Sequence, residues 1–313
     1  MFMGKRSVKQ YDGLLILDKP KGPTSTACLE KIKRFFKQKK VGHAGTLDPM
    51  ASGVLVLLFG QGTKLASYIM EGLKTYRGKI ELGKETDTYD IEGNIVKSVT
   101  IDGLKKEDVE QAVLEWKHLT EQEVPQYSAA KYKGRPFYAL KRKGRNPPKK
   151  TKKIFIDYVE ILDIRLPYVE FRVRCSKGTY IRSLAHSLGK RLNVGGVLVE
   201  LIREEVFPYH IHQAVALDYL LSNPEVFPEK IIPLHNALPH WQKVEVDREI
   251  ALQVKNGAML RVSDIKDEKE VKEGDKAIFL DTQKEALALM EVIKRDGELF
   301  WKVLRGLWKK KYY

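Results

Sequence analysis

An α+β fold is predicted from two features of the sequence: strand patterns that follow one another with helices interspersed, and a change of texture after about residue 240. Neighbouring strand patterns favour a mixed, mostly antiparallel sheet with flanking helices. Beyond residue 240, short strand patterns separated by Gly turns indicate a small β-rich module of about 70 residues. A length of 313 residues with 43% hydrophobic residues suits a globular protein of two parts. We therefore expect a large domain over 1–239 and a module over 240–313.

Five segments of the large domain have the composition of strands. They are 14–17, 54–60, 75–83, 158–166 and 169–176. The first two are apolar runs typical of buried strands, and the third alternates as a half-buried strand does. The last two are expected to form an antiparallel pair joined near Pro167 and Tyr168.

Three segments carry apolar residues at helical spacing. The first, which Thr24 or Ser25 can cap, has an apolar face of Cys28, Ile32, Phe35 and Phe36 opposite Lys31, Lys33, Arg34 and Lys37. The second and third have apolar faces of Val109, Ala112, Val113 and Trp116, and of Ile181, Leu184, Ala185 and Leu188.

Composition restricts the class of protein. The 56 Lys and Arg exceed the 41 Asp and Glu, which gives a net charge of +15 and favours a polyanionic partner such as nucleic acid. Only two cysteines are present, which excludes a disulfide framework and a four-cysteine zinc site. We expect a cytoplasmic protein without a membrane span, because no apolar run is long enough and the basic N-terminal segment has no apolar h-region.

The segment 124–156 combines positive charge with aromatic rings and contains no acidic residue. Its eleven basic residues are Lys131, Lys133, Arg135, Lys141, Arg142, Lys143, Arg145, Lys149, Lys150, Lys152 and Lys153. Its aromatic residues are Tyr127, Tyr132, Phe137, Tyr138 and Phe155. A charge run is usually a solvated surface loop. Rings that can stack on bases, beside cations that can neutralise phosphates, favour contact with RNA or DNA instead.

Cofactor and metal motifs are missing from the sequence. There is no GxxxxGK[ST] loop, no GxGxxG that opens a helix after a strand, and no CxxC pair for deaminase zinc. The motif HIH at 210–212 is a weak metal signal on its own. We expect an enzyme without a cofactor or a metal, which acts on nucleic acid with its side chains alone.

The stretch GHAGTLDPMASGVL (42–55) places one carboxylate, Asp48, before a proline and an apolar run. Asp-Pro commonly opens a turn, so the residue can be structural. It can also be a catalytic carboxylate at the mouth of a cleft.

This stretch resembles the nucleophile motif of pseudouridine synthases, specifically the bacterial tRNA pseudouridine-55 synthase (TruB) family. Further segments resemble the family's motifs in the same order: LDKPKGPTS (17–25), TYRGKIELGKETDTYDIEG (75–93), VPQYSAAKYKGRPFYALKRKG (124–144), VRCSKGTYIRSL (173–184) and VELIRE (199–204). The resemblance extends from about residue 12 to about 240, and the tail is similar to a PUA-type RNA-binding module.

The resemblance implies isomerisation of the T-loop uridine of tRNA, conventionally position 55: the C–N glycosidic bond breaks, the uracil turns and a C–C bond forms through C5. Asp48 matches the nucleophile, Arg182 the arginine that pairs with it, and Tyr76 the tyrosine that lies against the base. Tyr180 matches a second pocket tyrosine and Leu201 an apolar wall.

The resemblance also implies how RNA is held. The target base must be flipped out of the T loop, and His43 matches the residue that stacks where the base had been. Lys19 and Lys64 are expected to contact phosphates. The RNA-binding thumb is expected over 124–153, with Lys131, Lys133, Arg135, Lys141, Arg142 and Lys143 as RNA contacts. The implied partner is the tRNA T-arm, bound by a monomer without an obligate protein partner.

Three alternatives remain at this stage. A guide-RNA-dependent synthase shares the Asp motif, but it would lack the long basic thumb and need protein partners. An RNA-binding protein or tRNA-folding chaperone would not need Asp48, Tyr76 and Arg182. A basic membrane-surface protein would need an amphipathic helix with large apolar anchors, which is missing.

Overall fold

The structure is a computed structural model that describes residues 8–265 and 270–308. The strands of the large domain are β1 (Gly13–Lys19), β2 (Val41–His43), β3 (Ser52–Phe59), β4 (Lys74–Leu82), β5 (Lys84–Thr86), β6 (Ile95–Ser98), β7 (Glu121–Glu123), β8 (Lys131–Tyr132), β9 (Arg135–Pro136), β10 (Thr151–Lys153), β11 (Ile156–Arg165), β12 (Tyr168–Cys175), β13 (Gly196–Val206), β14 (Tyr209–His210) and β15 (Val215–Ala216). The strands that follow are β16 (Gln242–Glu245), β17 (Leu260–Arg261), β18 (Lys276–Leu280), β19 (Ala286–Arg295) and β20 (Glu298–Gly306).

The α-helices are interspersed among these strands. They are α1 (Ser25–Phe35), α2 (Ala66–Glu71), α3 (Lys106–Leu114), α4 (Phe137–Lys141), α5 (Ile181–Arg191), α6 (Leu217–Ser222), α7 (Phe227–Lys230) and α8 (Arg248–Lys255). No helix among the described residues is long and apolar enough to cross a bilayer.

A nine-stranded sheet organises the large domain, in the order β11-β12-β4-β13-β3-β1-β15, with β14 beside β13 and β2 beside β3. Only the β13–β3 and β1–β15 pairs are parallel, so the expected mostly antiparallel sheet is confirmed. Strand β3 reads as a continuous apolar run because both of its faces are covered. Val54, Val56 and Leu58 pack into one core cluster, and Leu55 and Leu57 into another.

Gly53, at the start of β3, permits a close approach of β13. Its φ of +102° lies in the region that favours glycine, and a Cβ there would lie 2.3 Å from the carbonyl oxygen of Arg203. No other residue fits this contact without moving one of the two strands.

The helical faces follow the predicted spacing with one exception. Thr24 caps α1 by accepting a hydrogen bond from the backbone N–H of Ala27 at 3.0 Å. Phe35, expected on the buried face, is instead 50% exposed at the last position of α1. Phe36 takes the inner position, stacked 3.9 Å from the ring of Phe227. In α5, the predicted residues Ile181, Leu184, Ala185 and Leu188 are buried.

The β-rich module forms a five-stranded sheet in the order β16-β18-β19-β20-β17, as the expected fold class requires. It has a core of its own around Phe279, Met290 and Trp301. Ile278 and Leu289 of the same sheet pack into a core cluster of the large domain. The module is therefore packed against the large sheet, and the boundary at residue 240 stays a prediction.

Candidate active site

Asp48 lies in the loop between β2 and β3, where its backbone closes a turn and its side chain faces a cavity. Its carbonyl oxygen accepts a hydrogen bond from the N–H of Ala51 at 3.1 Å, which closes a turn. Its side chain remains 39% exposed and lines a cavity of about 380 Å³. The hydroxyl of Ser25 fixes the loop at Leu47. It accepts a hydrogen bond from the N–H of Leu47 at 2.8 Å and donates one to the carbonyl oxygen of Leu47 at 3.0 Å. The turn thus presents the carboxylate to the cavity.

Arg182, in the first turn of α5, is the cation that faces this carboxylate. Its Nε donates to Oδ2 of Asp48 at 2.8 Å, and its side chain is only 6% exposed. The two terminal nitrogens donate to the carbonyl oxygens of Thr88 at 2.8 Å and Tyr127 at 2.9 Å. A guanidinium with its donors satisfied by separate chain segments has one orientation, so it holds the carboxylate of Asp48 in place.

Five of the residues expected from the sequence line the same cavity. They are Asp48, Tyr76, Tyr180, Arg182 and Leu201. Tyr76 and Leu201 come from the adjacent central strands β4 and β13, while Tyr180 and Arg182 come from the start of α5. Burial raises the pKa of both the Tyr76 and the Tyr180 hydroxyl, so both phenols keep their proton at neutral pH. The cavity therefore combines the accessible carboxylate of Asp48 with two aromatic walls and one apolar wall.

Arg203 is a residue of this site that the sequence reasoning missed. It lies in β13 with 1% exposure, and no carboxylate forms an ion pair with it among the described residues. Its donors reach three carbonyl oxygens instead: Val54 at 2.7 Å, Gly45 at 3.1 Å and Thr46 at 3.3 Å. Two of these belong to the loop that carries Asp48, so Arg203 ties the loop to the sheet. The signal in the sequence was a cation two positions after Leu201 in an otherwise buried strand.

Comparisons with known proteins agree with this geometry. A model of the TruB family pseudouridylate synthase N-terminal domain matches residues 33–181. A tRNA pseudouridine synthase B of Oleidesulfovibrio alaskensis is 48% identical over 98% of this chain and 99% of its own length. The chain belongs to the TruB family of pseudouridine synthases. It is therefore an isomerase. A tRNA pseudouridine synthase B of Geobacillus thermodenitrificans is 37% identical over 89% of this chain and 94% of that protein.

Solved structures share the fold of this TruB-family chain. A chain in the crystal structure of a Cbf5–Nop10–Gar1 complex has a TM-score of 0.72 and 26% identity over 95% of this chain and 85% of that one. A chain of an H/ACA RNP bound to a substrate RNA has a TM-score of 0.69 and 25% identity over the same shares of the two chains. The expected fold class, including the small β-rich module, is thereby confirmed.

Asp90 is a second acidic residue of the TruB-family site that the sequence reasoning passed over. Its carboxylate is 3.4 Å from Arg182 and accepts a hydrogen bond from the hydroxyl of Thr88 at 2.6 Å. Burial raises the pKa of Asp90, while the hydrogen bond from Thr88 and the charge of Arg182 act against this shift. Asp90 lies in the segment 75–93, from which only Tyr76 was expected at the site.

His43 lies in β2, paired with Leu57 of β3, and is not among the residues that line the cavity. Burial and the positive charge of Arg203 lower the pKa of its ring, which is therefore neutral at pH 7. The structure thus places an uncharged ring in the strand that leads into the Asp48 loop.

The two lysines that the sequence predicts as phosphate contacts each donate to backbone carbonyls. Lys19 is fully buried, and its ammonium donates to the carbonyl oxygens of Pro20 and Pro23, each at 2.8 Å. A side chain enclosed in this way has no surface to offer a phosphate. The ammonium of Lys64 donates to the carbonyl oxygen of Gly306 at 2.6 Å, and so joins the large domain to the β-rich module. Sequence alone showed two cations near the motifs, but not the carbonyl groups that surround them.

The basic segment 124–153 is an excursion from paired strands. The chain leaves after β7 and returns as β10, which pairs with it antiparallel. Five of the six basic residues expected to contact RNA are exposed: Lys131, Lys133, Arg135, Arg142 and Lys143. The sixth, Lys141, is half-buried and donates to the side chain of Asn146 at 2.8 Å.

The aromatic residues of this segment divide into two groups. Tyr132 and Tyr138 are each 43% exposed, with Lys133 and Arg142 over their respective rings. Phe137, expected among the rings available for stacking, is only 1% exposed and packs inward. The segment therefore presents two tyrosines, each with its own cation.

Proposed function

We propose that this chain converts the T-loop uridine of tRNA, conventionally position 55, into pseudouridine without a cofactor. The observation that carries the proposal is the carboxylate of Asp48, held 2.8 Å from a nearly buried Arg182 at the edge of a cavity with tyrosine and leucine walls. The names of the relatives, which are tRNA pseudouridine synthases, support tRNA as the substrate.

Asp48 is proposed as the nucleophile. A carboxylate attacks efficiently when it is ionised, oriented and accessible. Arg182 donates to one oxygen of the carboxylate and so fixes its orientation, while the side chain stays accessible from the cavity. In the reaction the C–N glycosidic bond breaks, the detached uracil turns within the cavity, and C5 bonds to the sugar carbon. The proton lost from C5 is balanced by the proton that N1 gains, and the bond that Asp48 forms during the reaction breaks again. Atoms are conserved, and no oxidant or water is consumed.

The walls of the cavity are proposed to hold the uracil while it turns. Tyr76 stacks on the ring, and its protonated hydroxyl is available for proton transfer. Leu201 and Tyr180 close the remaining sides. Apolar walls give no fixed hydrogen bond to the base, so a detached ring is free to rotate within them.

The basic segment 124–153, which we call the thumb, is proposed to bind the T-arm of tRNA. Its exposed cations neutralise phosphates, and Tyr132 and Tyr138 offer faces to unstacked bases. The carbonyl oxygen of Tyr127, near its start, accepts a hydrogen bond from Arg182, so the thumb and Asp48 contact the same arginine. His43 is proposed to fill the space that the flipped base leaves. We expect the enzyme to act as a cytoplasmic monomer without a protein partner.

Tritium release tests the proposal directly. An unmodified tRNA transcript labelled at C5 of uridine is incubated with the protein alone, without metal or nucleotide. One tritium released per tRNA, with the label position confirmed by sequencing of the modified site, is the expected result.

No release despite tight tRNA binding would reject the proposal and favour a guide-dependent enzyme, a role suggested by the complexes in which its structural neighbours occur. Binding of any folded RNA with no release even in the presence of such partners would favour a chaperone.

A further inference from the structure

Three lysines line the cavity beside the residues already described, and the reaction does not use them. They are Lys74 at the start of β4, Lys152 in β10 and Lys177 in the loop before α5. Burial lowers the pKa of both Lys74 and Lys152, and in each case the positive charge of Lys177 adds to the effect. Lys177 is thus near enough to act on the charges of both Lys74 and Lys152. A cluster of like charges at a cavity favours binding of an anion.

Lys74 is the buried member of the cluster. It is 6% exposed, and its ammonium donates to the backbone carbonyls of Met70 and Gly72. It forms no ion pair with a carboxylate among the described residues. Carbonyl oxygens hold the ammonium in position but leave its charge uncompensated.

The ammonium of Lys152 occupies space at the cavity that is open only because residue 178 is a glycine. A Cβ at Gly178 would lie 1.6 Å from Nζ of Lys152, so the ammonium lies directly against this glycine. The φ of Gly178 is +77°, which also favours glycine. The positive charge therefore lies against the loop that leads into α5 and Arg182.

Lys177 has the one carboxylate partner in the cluster. It pairs with Glu71, at the end of α2, and the two side chains are 50% and 63% exposed. An ion pair this exposed contributes little to stability, so a competing anion exchanges for the carboxylate easily. Among the three lysines of the cluster, only Lys177 has a carboxylate partner among the described residues, and that partner is Glu71.

We propose that Lys152 and Lys177, with the charge of the buried Lys74 behind them, form a phosphate-binding site at the cavity, which holds a backbone phosphate adjoining the nucleotide whose base lies against Tyr76. The phosphate displaces Glu71 from Lys177. Flipping a base moves its flanking phosphates together with it, and a fixed phosphate therefore positions the sugar relative to Asp48. This inference rests on the proposed function, because the RNA substrate supplies the phosphate.

The test neutralises the phosphate and the lysines separately. A tRNA ligated from synthetic pieces carries a methylphosphonate, which has no charge, on the 5′ side or on the 3′ side of the target uridine. Binding is measured in an Asp48→Asn background, so that the RNA stays unconverted. Three proteins are compared: the lysine-intact chain, Lys152→Met/Lys177→Met, and a control of equal charge, Lys105→Met/Lys117→Met, whose lysines are exposed and lie outside both the cavity and the thumb.

One of the two methylphosphonates is expected to weaken binding about 10-fold in the lysine-intact protein and in the control, but less than about 2-fold in Lys152→Met/Lys177→Met. Equal losses in all three proteins, or no loss at either position, would overturn the phosphate site. Tritium release from the unmodified tRNA by the wild-type protein separates the two proposals. Tritium release together with a methylphosphonate effect that does not depend on Lys152 and Lys177 rejects only the phosphate site. Absence of tritium release rejects the proposed function.

A second variant tests the exchange at Lys177. Glu71→Gln removes the competing charge and is expected to tighten binding of the unmodified tRNA about 2-fold, but not in the Lys152→Met/Lys177→Met background. The same tightening in both backgrounds would show that Glu71 acts through the overall charge of the protein. That result would overturn the displacement of Glu71 from Lys177 by the phosphate.

Discussion

At the scale of single residues, the site depends on which charges are paired and with what. Asp48 shares a single arginine with Asp90, yet only Asp48 is accessible from the cavity. Arg182 is held by carbonyls and carboxylates together, whereas the buried Arg203 donates to three carbonyls and forms no ion pair among the described residues. Asp48 is therefore the carboxylate that we propose as the nucleophile, because it both faces the cavity and is paired with a nearly buried cation.

Asp48→Asn is expected to lower turnover by roughly 1,000-fold or more and to leave tRNA affinity within a few fold, because the amide keeps the shape but cannot attack. Tritium release and filter binding measure the two effects. Lost binding with intact folding would instead make Asp48 a structural residue of the turn.

Lys74 predicts a specific dependence of stability on pH. Burial lowers its pKa to about 8 from an ordinary value of 10.5, so between these values the unfolded chain binds a proton that the folded protein does not. The free energy of unfolding should therefore rise with pH across this window, by up to about 3 kcal/mol. Urea unfolding of the wild type and Lys74→Met from pH 7.5 to 10.5 isolates the contribution. A difference between the two proteins that stays constant with pH would contradict it.

At the scale of elements, close contact between neighbouring strands builds the floor of the cavity. Strand β13 runs parallel to β3 at Gly53 and antiparallel to β4 along most of its length. It brings Leu201 and Arg203 beside Tyr76 on β4. The Asp48 loop enters directly before β3, so its position depends on how β3 packs against β13.

Gly53→Ala is expected to destabilise the protein more than Gly103→Ala. Both glycines have positive φ, but a Cβ at Gly53 meets the backbone of Arg203 at 2.3 Å, while a Cβ at Gly103 meets nothing within 4 Å. The control substitution should cost about 1 kcal/mol for its backbone conformation, and Gly53→Ala at least about 2 kcal/mol more. Urea unfolding measures both, and equal costs would show that β3 and β13 adjust freely.

At the scale of the whole molecule, positive charge is concentrated where RNA is expected. The net charge of +15 includes the exposed cations of the thumb, which joins the large sheet through the β7–β10 pair. Arg182 links that segment to Asp48 through the carbonyl of Tyr127. The proposed RNA-binding thumb is thus connected to Asp48 through a single arginine.

Neutralising Lys131, Lys133, Arg142 and Lys143 together should weaken tRNA binding and reduce the slope of log affinity against log salt by about 3 to 4, because fewer counterions are released. A variant of equal charge, with Lys97, Lys105, Lys106 and Lys117 replaced, controls for net charge. Affinity measured from about 50 to 200 mM salt gives both slopes. If the thumb variant has the same slope as the control variant, the thumb does not contact the RNA.

The sequence by itself determined the fold class, the family resemblance and most of the site, because these depend on local pattern. Strand alternation and helical spacing follow from which faces are buried, and the motifs placed Asp48, Tyr76, Tyr180, Arg182 and Leu201, which the structure brings to one cavity. Phe35 was misplaced because the last residue of a helix can face solvent even when it follows the apolar spacing.

Only the tertiary structure decided which cations are available to a substrate. Lys19 and Lys64 looked like phosphate contacts in the sequence, yet each donates to backbone carbonyls, and the partner of Lys64 lies in the β-rich module. Arg203 and Lys74 became visible as parts of the site only once their burial was known. The physical reason is that the state of a charge depends on the polar groups around it, and these come from segments that are far apart in the chain.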